Sequence, residues 1–245
     1  EGATLDAEFG TGIHDSSRVR FNGEGSVGEV GINALALNTV GTLIQSDDVT
    51  SKRQGTLSHE ITWTGSGGFA SGVEEGIRVN LGETIGGIGQ TLNWGSNGFF
   101  EGAAVDSTLT FGSEQSVGSV TFENNVNLNN NTSRVAVYNT GSEVSSSVTL
   151  SGDWTGGNLS VGSDVYSGTV YLTGDNQLDN FTVFGGLVTT DGGGSLSTAG
   201  NQANVLIEGG TLDLLQDEEL GTTTVNSGGT LNAIGFISAT DIVNN

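Results

Sequence analysis

The chain of 245 residues contains no cysteine, no proline and no methionine. The lack of cysteine excludes disulfide bridges, thiolate metal sites and a cysteine nucleophile. Long apolar segments are also missing, because no run of 18 apolar residues occurs that could span a bilayer as a helix. These absences exclude a small disulfide-stabilised domain and predict no insertion into a membrane.

Basic residues are almost as rare, since six Lys and Arg stand against 28 Asp and Glu, for a formal net charge of −22. Phosphate backbones are bound by clustered cations, and a large negative charge repels nucleic acid and anionic membranes. We therefore predict no nucleic-acid partner. The six basic residues form no stripe along the chain: Arg18, Arg20, Lys52, Arg53, Arg78 and Arg134.

Glycine is abundant, with 42 of 245 residues against a usual share of ~7%. No G-X-Y period accompanies this excess, so a collagen-like chain is excluded. Glycine instead supplies the positive φ angles that tight turns between strands require. The hydrophobic fraction of 34% is low for a compact globule. It fits a solenoid, in which each strand gives alternate residues to a narrow core.

Internal repeats favour a solenoid more directly. Val148–Asp153 recurs as Val170–Asp175, a step of 22 residues, and Gly209–Leu214 recurs at Gly228, a step of 19. Leu172 and the residues after it are echoed more loosely from Leu196, a step of 24. Repeats of this length with short alternating strands and Gly, Asn and Ser turns are typical of one coil of a parallel β-helix.

A longer repeat relates two larger regions at an offset of about 90 residues. Val19–Phe21 resembles Leu109–Phe111, and Trp63 with its following Thr-Gly resembles Trp154. We predict an all-β fold, a right-handed parallel β-helix of roughly 11 coils. Residues 1–18 are expected to form an arm or cap, 19–104 a first β repeat unit and 105–245 the solenoid repeats. The first ~100 residues are less regular, and a β-sandwich stays open there. One helical turn is expected near Leu214 to Leu220.

Two phrases carry a family resemblance. Gly209–Leu212 and Thr224–Leu231 resemble the T-V-N-x-G-G-T-L phrase of bacterial autotransporter passenger repeats, and Leu109–Leu128 is similar to the same repeat class. The resemblance covers residues 105–235 most clearly. It implies a β-solenoid at the bacterial cell surface or outside the cell. A sequence that starts at Glu1 and has no Met is what we expect of a processed, exported protein.

Candidate binding residues are few. Asp175, Asn176 and Asp179 are the best cluster for Ca²⁺, which takes six to eight oxygen ligands. The nonapeptide and EF-hand patterns that would specify calcium are missing, so solvated turn residues are the alternative and no other cofactor is predicted. Trp63, Trp94 and Trp154 are either sugar-stacking platforms or, as we favour, residues packed on a neighbouring coil. The Asn-rich run 124–131 predicts a ladder of stacked amides.

No constellation of residues indicates an enzyme. Asp47–Asp48 and Glu74–Glu75 are paired carboxylates, but neighbours on a strand point to opposite faces. Glycoside hydrolysis needs two carboxylates that flank one cleft, and the two histidines, His14 and His59, suggest no triad. We therefore predict that the protein is not an enzyme.

The ends of a solenoid are open strand edges, which soluble solenoids cover with a cap, charges or proline. The chain has no proline, and its segment from Gly235 is apolar with one charge. We expect self-association through Phe236, Ile237, Ile242 and Val243. Head-to-tail contacts do not close on themselves, so we predict an extracellular structural protein that forms a homopolymeric filament or surface layer. The alternative is a bacterial adhesin that binds glycans or a surface without polymerising.

Overall fold

The computed structural model describes two parts of the chain. Up to residue 63 it describes five separate strands, and beyond that it describes residues 66–82, 89–95, 108–113, 116–138, 147–163 and 166–245. Every named element in these residues is a β-strand. The described residues contain no helix that is long and apolar enough to cross a membrane.

The strands are short, with two to eight residues each, and most of their inward positions hold Val, Leu, Ile or Phe. In chain order they are β1 Ala3–Asp6, β2 Val19–Phe21, β3 Gly41–Gln45, β4 Arg53–Gln54, β5 Glu60–Trp63, β6 Gly67–Ser71, β7 Ile77–Val79, β8 Leu92–Asn93, β9 Thr108–Phe111, β10 Val120–Phe122, β11 Val126–Asn127, β12 Thr132–Val137, β13 Ser147–Leu150, β14 Trp154–Val161, β15 Thr169–Leu172, β16 Gln177–Val183, β17 Leu187–Thr190, β18 Ala203–Ile207, β19 Gly210–Leu214, β20 Glu218–Val225, β21 Gly229–Ala233 and β22 Ile237–Asn244.

The strands form three sheets, and every pairing between named strands is parallel. The long sheet has 12 strands, ten of them in the order β1-β3-β6-β9-β12-β14-β16-β18-β20-β22. A second sheet has seven strands, from β7 to β21, and a short sheet contains β2, β5 and β4. Successive coils thus stack strand on strand, and the predicted all-β parallel β-helix is confirmed.

The register confirms two of the three short repeats. Val148 is paired with Val170, at the predicted step of 22, and Leu212 is paired with Leu231, at the predicted step of 19. The step of 24 from Leu172 is wrong. Leu172 is paired with Thr190 in the seven-stranded sheet, whereas Leu196 accepts a hydrogen bond from the backbone of Leu178 beside the long sheet.

The core lies between the long sheet and the seven-stranded sheet and runs along the stack. Alternation along each strand places every second side chain inside. On the long sheet one inward column contains Leu109, Val135, Val161, Val183 and Ile207, all fully or almost fully buried. Each coil therefore buries its apolar residues against the coils before and after it.

Three further expectations differ from the structure. Residues Leu214 to Leu220 form no helical turn, because β19 ends at Leu214 and β20 begins at Glu218. The 90-residue repeat does not follow one register, since Val19–Phe21 lies in the short sheet and Leu109–Phe111 in the long sheet. The strands described before residue 100 pair in parallel, so they do not form a sandwich of antiparallel sheets.

The ten successive strands of the long sheet are close to the roughly 11 coils expected. The difference arises because the early coils are long: Ala3 is paired with Gly41, and Phe69 with Phe111. At a strand spacing of ~4.8 Å, the ten strands span about 43 Å along the stack.

Candidate functional site: the open last coil

The last coil consists of β21 and β22, which lie at the edges of the seven-stranded and the long sheet. Among the described residues β21 is paired with β19 alone and β22 with β20 alone. In a parallel ladder, alternate residues of an edge strand direct their N–H and C=O groups away from the single neighbour. The last coil therefore presents two unpaired backbone edges that can accept further strands.

The side chains of the last coil continue core columns of the preceding coil and are the last members of those columns among the described residues. Leu231 continues the column of Leu212, and Ala239 continues that of Leu220. Leu212 and Leu220 are fully buried, whereas Leu231 and Ala239 are only partly buried. Since nothing covers these two among the described residues, the last coil ends in a partly open apolar surface.

The four predicted self-association residues divide into two pairs. Ile237 and Ile242 continue inward columns, because they are paired with the buried Glu218 and Thr223. Ile242 is nevertheless 58% exposed. Phe236 and Val243 lie at outward positions of the same strand region, and Phe236 is 74% exposed. The structure thus brings Ile237 and Ile242 to the open end, and Phe236 and Val243 to the outer surface beside it.

The three predicted calcium ligands do not share one surface. Asp175 and Asp179 are exposed, but Asn176 is fully buried. The Oδ1 of Asn176 accepts a hydrogen bond from the Trp154 backbone N–H at 2.9 Å. Its Nδ2 donates to the carbonyl of Ser195 at 2.6 Å. In the described part of the chain no three His, Cys, Asp or Glu side chains come together in a group that could hold a metal ion. Calcium binding stays a prediction, and the contacts of Asn176 explain that residue as part of the coil.

The tryptophans for which side chains are described are not surface platforms. Trp94 and Trp154 are buried, and their ring centroids lie 6.2 Å apart. Trp154 also packs against Phe122, at 6.4 Å between centroids. The interpretation of these two as residues packed on a neighbouring coil is confirmed. The side chain of Trp63 lies outside the described residues.

An exposed amide ladder follows the outer side of the long sheet. Asn158 Nδ2 donates to Thr132 Oγ1 at 3.2 Å. One coil further, Asn180 Nδ2 donates to Asn158 Oδ1 at 2.6 Å, and Asn204 Nδ2 donates to Asn180 Oδ1 at 3.2 Å. The Thr222 backbone N–H completes the ladder by donating to Asn204 Oδ1 at 3.0 Å. Sequence reasoning placed a ladder at 124–131 and missed this one, although its offsets of 22 and 24 match the length of a coil.

Two shorter ladders end in the last coil. Asn226 Nδ2 donates to Glu208 Oε2, and Asn245 Nδ2 donates to Asn226 Oδ1, both at 2.9 Å. Asn232 Nδ2 donates to Asp213 Oδ1 at 2.8 Å. Each of these amides donates to the preceding coil, as the exposed ladder does. The Oδ1 atoms of Asn232 and Asn245 are therefore the final acceptors of ladders that run along the stack.

The last coil covers one buried carboxylate. Glu218 is 3% exposed and is paired through its backbone with Ile237 of β22. Its Oε1 and Oε2 accept a hydrogen bond from the Leu196 backbone N–H at 3.0 and 3.3 Å. Burial raises the pKa of Glu218 to about 7, and hydrogen bonds from Leu196 and Ser197 offset part of that rise.

Comparisons of this chain with protein-family models, with curated proteins and with solved structures give no match.

Proposed function

We propose that this protein is an extracellular structural protein of the bacterial cell surface whose solenoid subunits associate head to tail into a filament or surface layer. The observation that carries the proposal is the open apolar end of the last coil, where core columns continue into solvent at Leu231, Ile237 and Ile242. The occupant that we propose for this end is a second copy of the chain.

The polarity of the long sheet supports a second copy as the occupant. All ten strands of its main path run parallel, with β1 at one edge and β22 at the other. A copy translated along the stack can therefore continue the sheet without reversing its direction. Such a contact joins two different surfaces, so it does not close and instead propagates into a filament. The final ladder acceptors of Asn232 and Asn245 lie beside the same edge, where another coil can supply donors.

The net charge supports end-to-end association, and the resemblance to autotransporter repeats supports the location at the bacterial surface. A net charge of −22 opposes lateral contact between rods, and salt screens that repulsion within ~10 Å at 0.1 M. End-to-end association brings fewer charges together than side-by-side association does. The similarity of 209–231 to autotransporter passenger repeats supports a location at the bacterial surface.

A matched pair of charge substitutions tests the proposal. Ile242→Lys places a cation in a core column at the open end, where a stacking copy would have to bury it without a partner. Ile234→Lys adds the same charge at an 81% exposed position, one residue beyond the inward Ala233 and so on the outer side. We expect the unmodified chain and I234K to form filaments in negative-stain electron microscopy, with a subunit repeat of about 48 Å for ten strands at ~4.8 Å.

We expect I242K to remain monomeric in sedimentation velocity at the same salt concentration. Equal assembly of the two variants would show that the open end is not the contact. If the unmodified chain stays monomeric at high concentration with salt and calcium present, the filament proposal is wrong. The adhesin alternative would then be tested by binding of single rods to a glycan array.

A further inference from the structure

The carboxylate of Glu218 replaces a backbone partner that the stack lacks. Between Leu196 and Ala203 the chain makes a local turn, closed by an antiparallel bridge from Thr198 to Asn201. β20 meets β18 with a register shift between Ala203 and Val205. At Leu196 the backbone N–H is accepted by the Glu218 carboxylate instead of a backbone carbonyl. A charged or neutral carboxyl can accept this bond, and the side chain is fixed inside the core in either state.

Among the described side chains, no cation forms an ion pair with Glu218. The last Lys or Arg in the sequence is Arg134, and 12 Asp and Glu follow it. On its own strand region Glu218 is flanked by Asp217 and Glu219, both exposed. β22, which covers it, carries the exposed Asp241, and the segment from Ser195 to Ile207 beneath it carries no charged side chain. The remaining carboxylates near this edge, Asp175 and Asp179 next to the buried Asn176, are also exposed. The charged form of Glu218 is thus penalised by burial, and no ionic partner lies among the side chains that the structure describes.

The last coil is the part of the molecule that can relieve this penalty. β22 lies directly on β20, with the Glu218 N–H donating to the Phe236 carbonyl at 3.0 Å. When β22 lifts away, the Glu218 region comes within reach of water and the carboxylate is solvated. Since its pKa is about 7 when covered and returns towards its ordinary value when exposed, the covered state binds more protons. Docking of β22 is therefore fully favoured below the ordinary pKa of a glutamate, weakens as the pH rises towards 7 and changes little above that.

We propose that protonation of Glu218 controls head-to-tail association by holding the last coil in its docked position. The inference rests on the proposed function, because the docked coil is the surface on which a second copy stacks. Only the fraction of molecules with a docked coil is competent to associate, so the apparent affinity falls with that fraction. Association in turn favours the protonated carboxyl, because linkage is reciprocal.

Assembly measured from pH 5.5 to 8.5 at constant ionic strength tests the inference, with E218Q as the variant. Its exposed neighbour provides the matched control, E219Q, which removes the same charge. We expect the critical concentration of the unmodified chain to rise by about tenfold between pH 5.5 and pH 7 and to level off above pH 7, because the docking equilibrium changes about tenfold per pH unit between the exposed and covered pKa values. The critical concentration of E219Q should rise equally, and that of E218Q should stay low across the pH range. Histidine side chains ordinarily titrate in this range, so a variant with both histidines replaced, His14→Asn and His59→Asn, must keep the pH dependence.

Hydrogen exchange of the β22 amides in the monomer gives a second measurement that does not require assembly. Protection factors at Val243 and Asn245, corrected for the intrinsic rate, should fall between pH 5.5 and pH 7 in the unmodified chain, level off above pH 7, and stay constant in E218Q. If filaments form with no pH dependence near 7, or E218Q retains it, the inference is wrong while the proposed function stands. If no filaments form at any pH, the proposed function is wrong. Unchanged protection at β22 across the pH range would overturn the role of Glu218 independently.

Discussion

The last two coils are built from equivalent residues but differ in how much they bury. Leu212, Leu220 and their neighbours in β19 and β20 lie in the same columns as Leu231 and Ala239 in β21 and β22. The inward Leu212 and Leu220 of the first coil are covered on both sides and fully buried, whereas their partners in the second coil are covered on one side and partly exposed. Burial in this fold is therefore set by the number of stacked neighbours rather than by the side chain itself.

Core truncation in the two coils should expose this difference most strongly. Leu212→Ala removes a fully buried side chain between two coils and should lower the free energy of unfolding by about 3 kcal/mol, within the range for Leu→Ala in cores. Leu231→Ala, its partner in the register, should cost about 1 kcal/mol because its cavity opens to solvent. Urea denaturation followed by far-ultraviolet circular dichroism measures both. Equal losses would mean that the last coil is covered in solution, and sedimentation of the same samples would then show association.

Alanine substitutions of two glycines compare how closely the backbone packs in an interior coil and in the last coil. A Cβ added to Gly174 would lie 2.3 Å from the carbonyl oxygen of Gly152 in the preceding coil, and one added to Gly235 would lie 2.3 Å from that of Gln216. Gly174 is held between coils on both sides, so Gly174→Ala should cost about 2 kcal/mol from overpacking. Gly235 belongs to the last coil, which can move outwards. We expect Gly235→Ala to cost less than about 1 kcal/mol, since alanine also lowers the entropy of the unfolded chain.

The same denaturation experiment checks this pair. The slope of the free energy of unfolding against urea concentration must be the same in both variants as in the unmodified chain. An unchanged slope shows that the variants differ only in stability. A Gly235→Ala variant that is destabilised as much as Gly174→Ala would contradict the idea that the last coil is free to shift.

The parts of the fold that local repetition determines could be predicted from the sequence. Val148 and Val170, and Leu212 and Leu231, were identified as equivalent because the spacing of strand and turn residues repeats without insertion between them. The match from Leu172 to Leu196 failed because similar short phrases occur on different sides of the coil. The pairing of Leu196 with Leu178, a contact between coils, identifies its side.

The candidate site could be predicted from the sequence only where local sequence features define it. An apolar final strand with one charge indicated an open end at Ile237 and Ile242, and the structure places both in inward columns there. Glu218 was misread as part of an acidic helical turn, because its burial depends on a hydrogen bond from the N–H of Leu196, 22 residues earlier. The ladder from Asn158 through Asn180 to Asn204 could have been found by searching for asparagines separated by one coil length.

The exposed ladder offers the smallest and most local comparison between interior and last coils. Asn180 donates to Asn158 and accepts from Asn204, whereas Asn232 donates to Asp213 and ends its ladder. A hydrogen bond contributes roughly 0.5–1.5 kcal/mol net, and both side chains are exposed, so values near the lower end apply. We expect Asn180→Ala to lower the free energy of unfolding by about 1 kcal/mol and Asn232→Ala by about half as much. Asn180→Asp keeps the acceptor for Asn204, and at low pH, where the carboxyl is neutral, its O–H can also donate to Asn158. Its cost at low pH should therefore be smaller than that of Asn180→Ala. Replicate urea titrations of the three variants can resolve such differences. If Asn232→Ala and Asn180→Ala lower the free energy of unfolding equally, the Oδ1 of Asn232 also has a hydrogen-bond partner in solution.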